Sequence, residues 1–260
     1  MNIIYNRKMT DQRSFLYLHM KEIKYRMLSF AVSFILCSIV CFEYYLDLSF
    51  LFISPTVELL KGETIQLIYT SPSEAFATSV YWCLFLSAYI CFNVFLLHIY
   101  SFFHTSLTLK EKQFMRKVIT LCAFLWNFSI LFSFKVLIPI AIAFFSAFET
   151  SSEFVNLAMM GKISEYQSFY IWVTNVTTFI CELPFVIFIL MYYNVIDILI
   201  LIKFRKIFYI TSFIVAAIIT PPDVIYQIML ASCIIILYEM VIVYELYNKT
   251  TRSSSMHDLL

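Results

Sequence analysis

Three ionisable side chains occupy places where ionisable side chains are costly. Glu182, Glu239 and Lys135 each fall within a stretch that is otherwise apolar, and a charge held in lipid marks a candidate functional site because its lost hydration must be offset by a partner. In Cys181-Glu182-Leu183-Pro184 the acid stands two residues before a proline, which bends or breaks a helix. Such an acid can accept a polar group from a neighbouring helix or stay protonated in lipid. Gln227 offers an amide for hydrogen bonding between helices, either within the chain or to a docked partner. Two more acids, Glu22 and Glu111, lie among cations. A carboxylate matches the fork of a guanidinium with paired, charge-assisted hydrogen bonds. Their spacing also permits purely local roles, since Arg26 lies one turn beyond Glu22, and Thr108 stands three residues before Glu111 as in a capping box.

Other chemistries lack the residues they need. The seven cysteines all lie in hydrophobic stretches with no CxxC pair, so they read as small apolar packing residues rather than metal ligands. His98 and His104 are six residues apart, which is not one face of a helix, so a haem- or metal-binding pair is not expected. Only Gly62 and Gly161 are glycines, where average usage would give roughly eighteen. No glycine-rich phosphate loop and no GxSxG nucleophile turn can be built from them. We therefore expect no cofactor, no metal, no catalytic centre and no nucleic-acid partner. The abundance of Phe, Ile and Tyr fits A/T-rich codons and suggests an organellar gene.

The elements that carry these residues must lie in a bilayer. The chain is 62% hydrophobic and 13% charged, against roughly 25% charged in a soluble domain. Apolar stretches predict six helices, near Met27–Leu51, Ala75–Tyr100, Val118–Phe148, Phe169–Tyr193, Ile207–Ile219 and Val224–Tyr244. The last two are short and form a pair. Ser71-Pro72-Ser73-Glu74 and Thr220-Pro221-Pro222-Asp223 each carry a cap, a proline and an acid, the signature of a turn into a helix. Fifteen of the eighteen Lys and Arg residues fall in the N-terminal segment, the second and fourth loops and the tail, whereas the opposite loops hold only Lys61 and Lys162. By the positive-inside rule both termini face the cytoplasm or matrix. The expected organisation is a basic segment over residues 1–26, a membrane domain over 27–246 and a polar tail over 247–260.

Several segments together resemble the TatC family of the twin-arginine translocase. Glu182-Leu183-Pro184 is similar to its E-x-P element in the fourth helix, and TPPDVIYQIML, with Pro221, Pro222, Asp223 and Gln227, to the T-P-P-D-x-x-x-Q turn before the sixth. His19-Met20-Lys21-Glu22-Ile23-Lys24-Tyr25-Arg26-Met27 resembles H-L-x-E-L-R-x-R-L at the start of the first helix. Tyr100-Ser101-Phe102-Phe103, followed by Leu107 to Lys112, is similar to the W-x-F and acid-plus-basic elements of the second loop, and Ser54-Pro55 occupies the first far-side loop, where a turn proline is expected. The likeness runs from about Tyr17 to Leu246, with Thr105, Lys24, Gln113 and Tyr226 departing from the family pattern.

The resemblance implies a six-helix, all-α receptor for twin-arginine signal peptides, with Glu22, Glu111, Phe102 and Arg26 at the binding site and Glu182, Gln227 and Glu239 docking partners. It also implies single-span TatA- or TatB-like partners, a homo-oligomer and transport of folded precursor proteins driven by the proton gradient. With the composition it points to the mitochondrial inner membrane, the alternatives being a bacterial inner membrane or a thylakoid. Two other classes fit the hydropathy alone. A secondary transporter would carry a polar lining and usually internal repeats, and a respiratory-chain subunit would carry quinone or haem ligands that the sequence does not show.

Overall fold

The computed structural model describes residues 2–59, 67–148, 150–151, 156–157, 161–219 and 224–257. Its helices are α1 (Asn2–Glu43), α2 (Tyr45–Leu59), α3 (Pro72–His104), α4 (Leu109–Phe132), α5 (Ile138–Ser146), α6 (Ile163–Cys181), α7 (Leu183–Tyr192), α8 (Ile198–Ile219) and α9 (Val224–His257). A π-helical turn, Ser133–Leu137, joins α4 to α5. Two short pairings close the far-side segments: β1 (Leu67–Ile68) runs parallel to β4 (Gly161–Lys162), and β2 (Thr150–Ser151) antiparallel to β3 (Asn156–Leu157).

Five helical stretches are long and apolar enough to cross a bilayer: His19–Glu43, Pro72–His104, Leu109–Ser146, Ile163–Tyr192 and Val224–Tyr247. The sixth expected span is α8, whose apolar part, Ile207–Ile219, follows Lys203, Arg205 and Lys206 in the same helix. Helix ends reach beyond the sequence expectations because polar rim residues keep helical backbone. The first span instead ends early, at Glu43, with Tyr44 separating α1 from α2. Pro55, expected in a turn, lies inside α2. The carbonyl of Leu51, which an N–H at position 55 would have satisfied, accepts from Ser54 Oγ at 3.1 Å. Pro221, Pro222 and Asp223 lie outside the described residues.

Prolines explain the two breaks inside spans. Pro139 cannot donate to the carbonyl of Lys135, and just before it the ladder widens so that the Ile138 N–H bonds to the Ser133 carbonyl. This turn buries Ser133, Phe134 and Leu137 while leaving Lys135 exposed. Pro184 opens α7, and Glu182 is the junction residue between α6 and α7. Just past the end of α7, Asn194 takes φ 54°, and the Val195 N–H reaches back to the Leu190 carbonyl at 2.9 Å. A left-handed residue after a helix is usually glycine. In a chain with two glycines, asparagine fills the position.

The chain packs as two compact units, Met1–Leu48 with Phe76–Thr120, and Ser49–Ala75 with Leu121–Leu260. In the first, α3 lies on α1 through small thiols, with Cys83 Sγ donating to the Cys41 carbonyl at 3.4 Å and Cys91 Sγ to that of Ser33 at 3.8 Å. The outer face of α1 exposes Leu28, Val32, Ile35, Leu36 and Ile39, as a helix against lipid does. In the second, α8 packs along α9 through Ile198, Leu201, Tyr238 and Ile242, with Phe208 stacked on Tyr238 at 3.8 Å. α4 and the π turn face α6 through Ser129, Ser133, Thr174 and Thr178, all buried.

The strained end of α7 yields a direct test. Replacing Asn194 with alanine forces a Cβ residue without a local polar cap into the left-handed region at a cost of about 1 kcal/mol, whereas Asn194→Gly is neutral or slightly stabilising. Thermal melts of the detergent-solubilised protein should rank glycine at or above asparagine and alanine below; equal melting temperatures would contradict the assignment.

Candidate functional site

Two sets of polar residues stand out, one at the basic rim of the first unit and one inside the second. At the rim, the middle of α1 carries Lys21, Glu22, Tyr25 and Arg26, which with His98 of α3 line an open cleft of ≈ 710 Å³. Glu22 is tied within its own helix. Arg26 donates to Glu22 Oε1 through Nη2 at 2.7 Å and Nε at 3.1 Å, and both side chains stay partly exposed, at 24% and 34%. Oε2 faces His19 Nδ1 at 4.0 Å. Phe102 sits edge-on to His19, with centroids 6.2 Å apart, and edge-on to Phe103 at 5.3 Å. The imidazole of His19 thus stands between the acid of α1 and the aromatic end of α3.

Glu111 opens α4. Its Oε2 accepts from the Thr108 N–H and the Thr108 hydroxyl, each at 2.8 Å, closing a capping box. The carboxylate is exposed. The local roles that spacing allowed for both acids are therefore present. Each acid still offers one oxygen without a hydrogen bond among the described residues, and a guanidinium approaching the rim would find both carboxyl groups already fixed in direction. His98 was legible only as a poor metal ligand; its place in the cleft wall comes from the packing of α3 on α1.

Inside the second unit the three predicted docking residues fare differently. Glu239 is engaged by Arg205, with Nη2 at 2.8 Å, and by the hydroxyl of Tyr209. Both partners come from α8, so this acid joins α8 to α9 rather than waiting for another helix. Its sequence signal was ambiguous because Arg205 appeared to lie in a loop, whereas α8 already begins at Ile198. Gln227 donates through Nε2 to the Phe213 carbonyl at 3.2 Å, again across the α8–α9 pair. Glu182 differs from both. Its two carboxylate oxygens are sealed and find no hydrogen-bond partner among the described residues, with the Cys122 thiol of α4 beside them. Among the described residues no three His, Cys, Asp or Glu side chains gather as a metal site would require.

The sequence reading missed two further polar constructions. Glu74 was expected to close a box on Ser71, but its Oε2 instead accepts from the N–H and hydroxyl of Thr70, each at 2.9 Å. Its Oε1 takes Ser164 Oγ at 2.6 Å and Lys162 Nζ at 3.5 Å, clasping the segments that β1 and β4 pair. The second is a file of buried hydroxyls along α6. The four-residue spacing of Tyr166, Tyr170, Thr174 and Thr178 was its available signal.

Comparison with known proteins gives a consistent result. Residues 18–232 match the family described as TatC, Sec-independent protein translocase protein. The tatC-like protein ymf16 of Nephroselmis olivacea is 30% identical over 234 residues, which is 90% of this chain and 95% of that protein. The Sec-independent protein translocase protein TatC of Rickettsia prowazekii is 30% identical over 236 residues, 90% and 94% of the two chains. Among solved structures, the crystal structure of the twin arginine translocase receptor TatC in DDM superposes with a TM-score of 0.65 at 24% identity, covering 87% of this chain and 98% of that one.

The α8–α9 ion pair can be tested without reference to function. Removing one partner leaves the other partly buried and unpaired, which costs more than removing both. Glu239→Leu should lower the melting temperature, and Arg205→Leu added to it should recover much of the loss. If the double variant is as unstable as the sum of the singles, the two side chains are not coupled.

Proposed function

The chain belongs to the TatC family, a multi-pass membrane subunit of the Sec-independent protein translocase, and from this premise we propose that it is the core receptor of a twin-arginine translocation system. The observation that carries the reading is the rim of the first unit. There Glu22, Arg26 and Phe102 are grouped around His19 beside an open cleft, and Glu111 stands at the head of the next helix.

A signal peptide with two adjacent arginines presents two guanidinium forks. Glu22 and Glu111 supply one acceptor face each, and Phe102 supplies an aromatic edge against which the peptide can lie. Arg26 holds Glu22 extended and is displaced in part when a signal arginine takes the same carboxylate. The surrounding Lys21, Lys24, Lys110 and Lys112 oppose a long-lived complex, so binding is modest and salt-sensitive. No nucleotide site is called for, because the proton gradient drives the transport of the folded protein.

Glu182 and Gln227 are the groups we assign to docking of single-span TatA- or TatB-like helices. Glu182 is the stronger candidate since its oxygens are unsatisfied inside the chain; Gln227 would have to exchange its bond to Phe213. Glu239 supports this region by fixing α8 to α9. The protein works as a homo-oligomer in this scheme. Its two glycines and abundant Phe, Ile and Tyr, a usage that fits A/T-rich codons, support the mitochondrial inner membrane as its location.

The test is photocrosslinking of a twin-arginine precursor to the membrane-embedded protein. Glu22→Gln with Glu111→Gln should reduce adduct yield by roughly tenfold, the scale of about 1.4 kcal/mol in binding, without changing the melting temperature by a comparable margin. Undiminished crosslinking at low salt would remove both acids from the site.

A further inference from the structure

Glu182 stands at one end of a file of polar residues. Along α6 and into the junction after it, Tyr166, Tyr170, Thr174, Thr178 and then Glu182 recur every four residues, a slanted row in which each side chain neighbours the next while the row turns about 40° around the helix at every step. Every hydroxyl in the file is buried, from Thr174 at 0% exposure to Tyr166 at 7%. Each has a cross-partner: Thr178 meets Ser129 at 2.8 Å, Thr174 meets Ser133 at 3.1 Å, and Tyr170 meets Thr56 at 3.1 Å and Tyr166 at 3.0 Å.

The rungs are reversible. Ser129 lies within 2.7 Å of the Trp126 carbonyl as well as near Thr178, and Thr178 lies within 2.8 Å of the Thr174 carbonyl. Each hydroxyl has one proton and two acceptors, so either member of a rung can donate to the other while its partner turns to the backbone. A proton relay needs that two-way order, whereas a purely structural hydrogen bond does not.

The file is also one-sided. From Tyr166 to Glu182 the α6 rise is about 24 Å, starting at the face opposite the basic loops, where Ser164 donates to Glu74 at 2.6 Å. Beyond Glu182, α7 reads LPFVIFILMY and offers no hydroxyl before Tyr192. The groups that face Glu182 are the Cys122 thiol of α4 and the neighbouring Cys181 thiol, a free cysteine beside the free Cys233 of α9. No cation faces it among the described residues.

We propose that this file is a proton half-channel that leads from the face opposite the basic loops to Glu182 and ends there. A hydronium ion at the outer mouth gives its proton to the first hydroxyl and becomes water. Each hydroxyl oxygen then takes a proton on a lone pair and passes its own onward, with a water molecule bridging the roughly 6 Å between successive threonines. The carboxylate of Glu182 ends as a carboxylic acid. One positive charge moves inward and no electron is transferred. The use made of this proton rests on the translocase reading above, in which protonation would switch Glu182 from acceptor to donor for a docked helix, but the route itself does not.

The full-length protein in liposomes provides the test by infrared spectroscopy. The carboxylic acid band that disappears in Glu182→Gln identifies the group, and its rate of shift on transfer to D₂O reports proton access. Thr174→Val with Thr178→Val should slow that exchange by about tenfold or more, equivalent to about 1.4 kcal/mol in the barrier. Tyr170→Phe with Ser129→Ala, which removes only hydroxyls from the relay, should slow it too and serves if the valine pair does not fold. Unchanged exchange in the folded hydroxyl-deficient proteins, or no Glu182 acid band at acidic pH, would overturn the proposal. Binding of a twin-arginine leader to the same samples separates the two readings: normal binding with unaltered exchange defeats the half-channel alone, and absent binding with slowed exchange defeats the receptor alone.

Discussion

A polar group in lipid has no water to fall back on, and this constraint organises the second unit. If α4 and α6 were separated, Ser129, Ser133, Thr174 and Thr178 would find partners only on their own helices. Joined, one hydroxyl of each pair donates to the other at 2.8 or 3.1 Å while the second can turn its proton to the backbone of its own helix. The π turn belongs to the same arrangement. By adding a residue to the turn before Pro139 it directs Ser133 and Phe134 inward together, so that Ser133 reaches Thr174 and Phe134 packs between Phe52 and Tyr170. An exposed lysine at position 135 is the consequence of that geometry.

Against this background Glu182 is the exception. The chain satisfies Glu74, Glu111, Glu22 and Glu239 with two or more donors each, yet it leaves the deepest acid at a helix junction with no hydrogen bond among the described residues. Pro184 contributes by interrupting the ladder there. Unsatisfied groups of this kind persist where something outside the resting fold uses them, and both a docking helix and a mobile proton meet that description.

Much of this was legible in the amino-acid sequence because hydrophobic length and the placement of Lys and Arg depend on the bilayer, a constraint that acts on each segment separately. The six spans, the capping box at Thr108 and the Glu22–Arg26 pair follow from spacing within single helices. What spacing could not supply was contact between distant segments. Arg205 was read as a loop residue, so its bond to Glu239 across 34 positions had no local signal. Thr56 and Tyr170, 114 positions apart, have none either, and Pro55 reads as a turn residue because nothing in the spacing shows that the Ser54 hydroxyl turns back to the Leu51 carbonyl. The family resemblance was carried by short motifs at span ends, and those are the places where loops fix side chains for recognition.

The proposed receptor role rests on the rim of the first unit, where Glu22 and Glu111 would meet paired guanidinium groups. Such a site would prefer forked over point-like cations. The most direct measurement is the affinity of the reconstituted protein for two leader peptides that differ only in the pair, Arg-Arg or Lys-Lys, over a range of salt concentrations. The account predicts tighter binding of the arginine leader by roughly tenfold, with both affinities falling as salt rises. Equal affinity for the two leaders at low salt would contradict it.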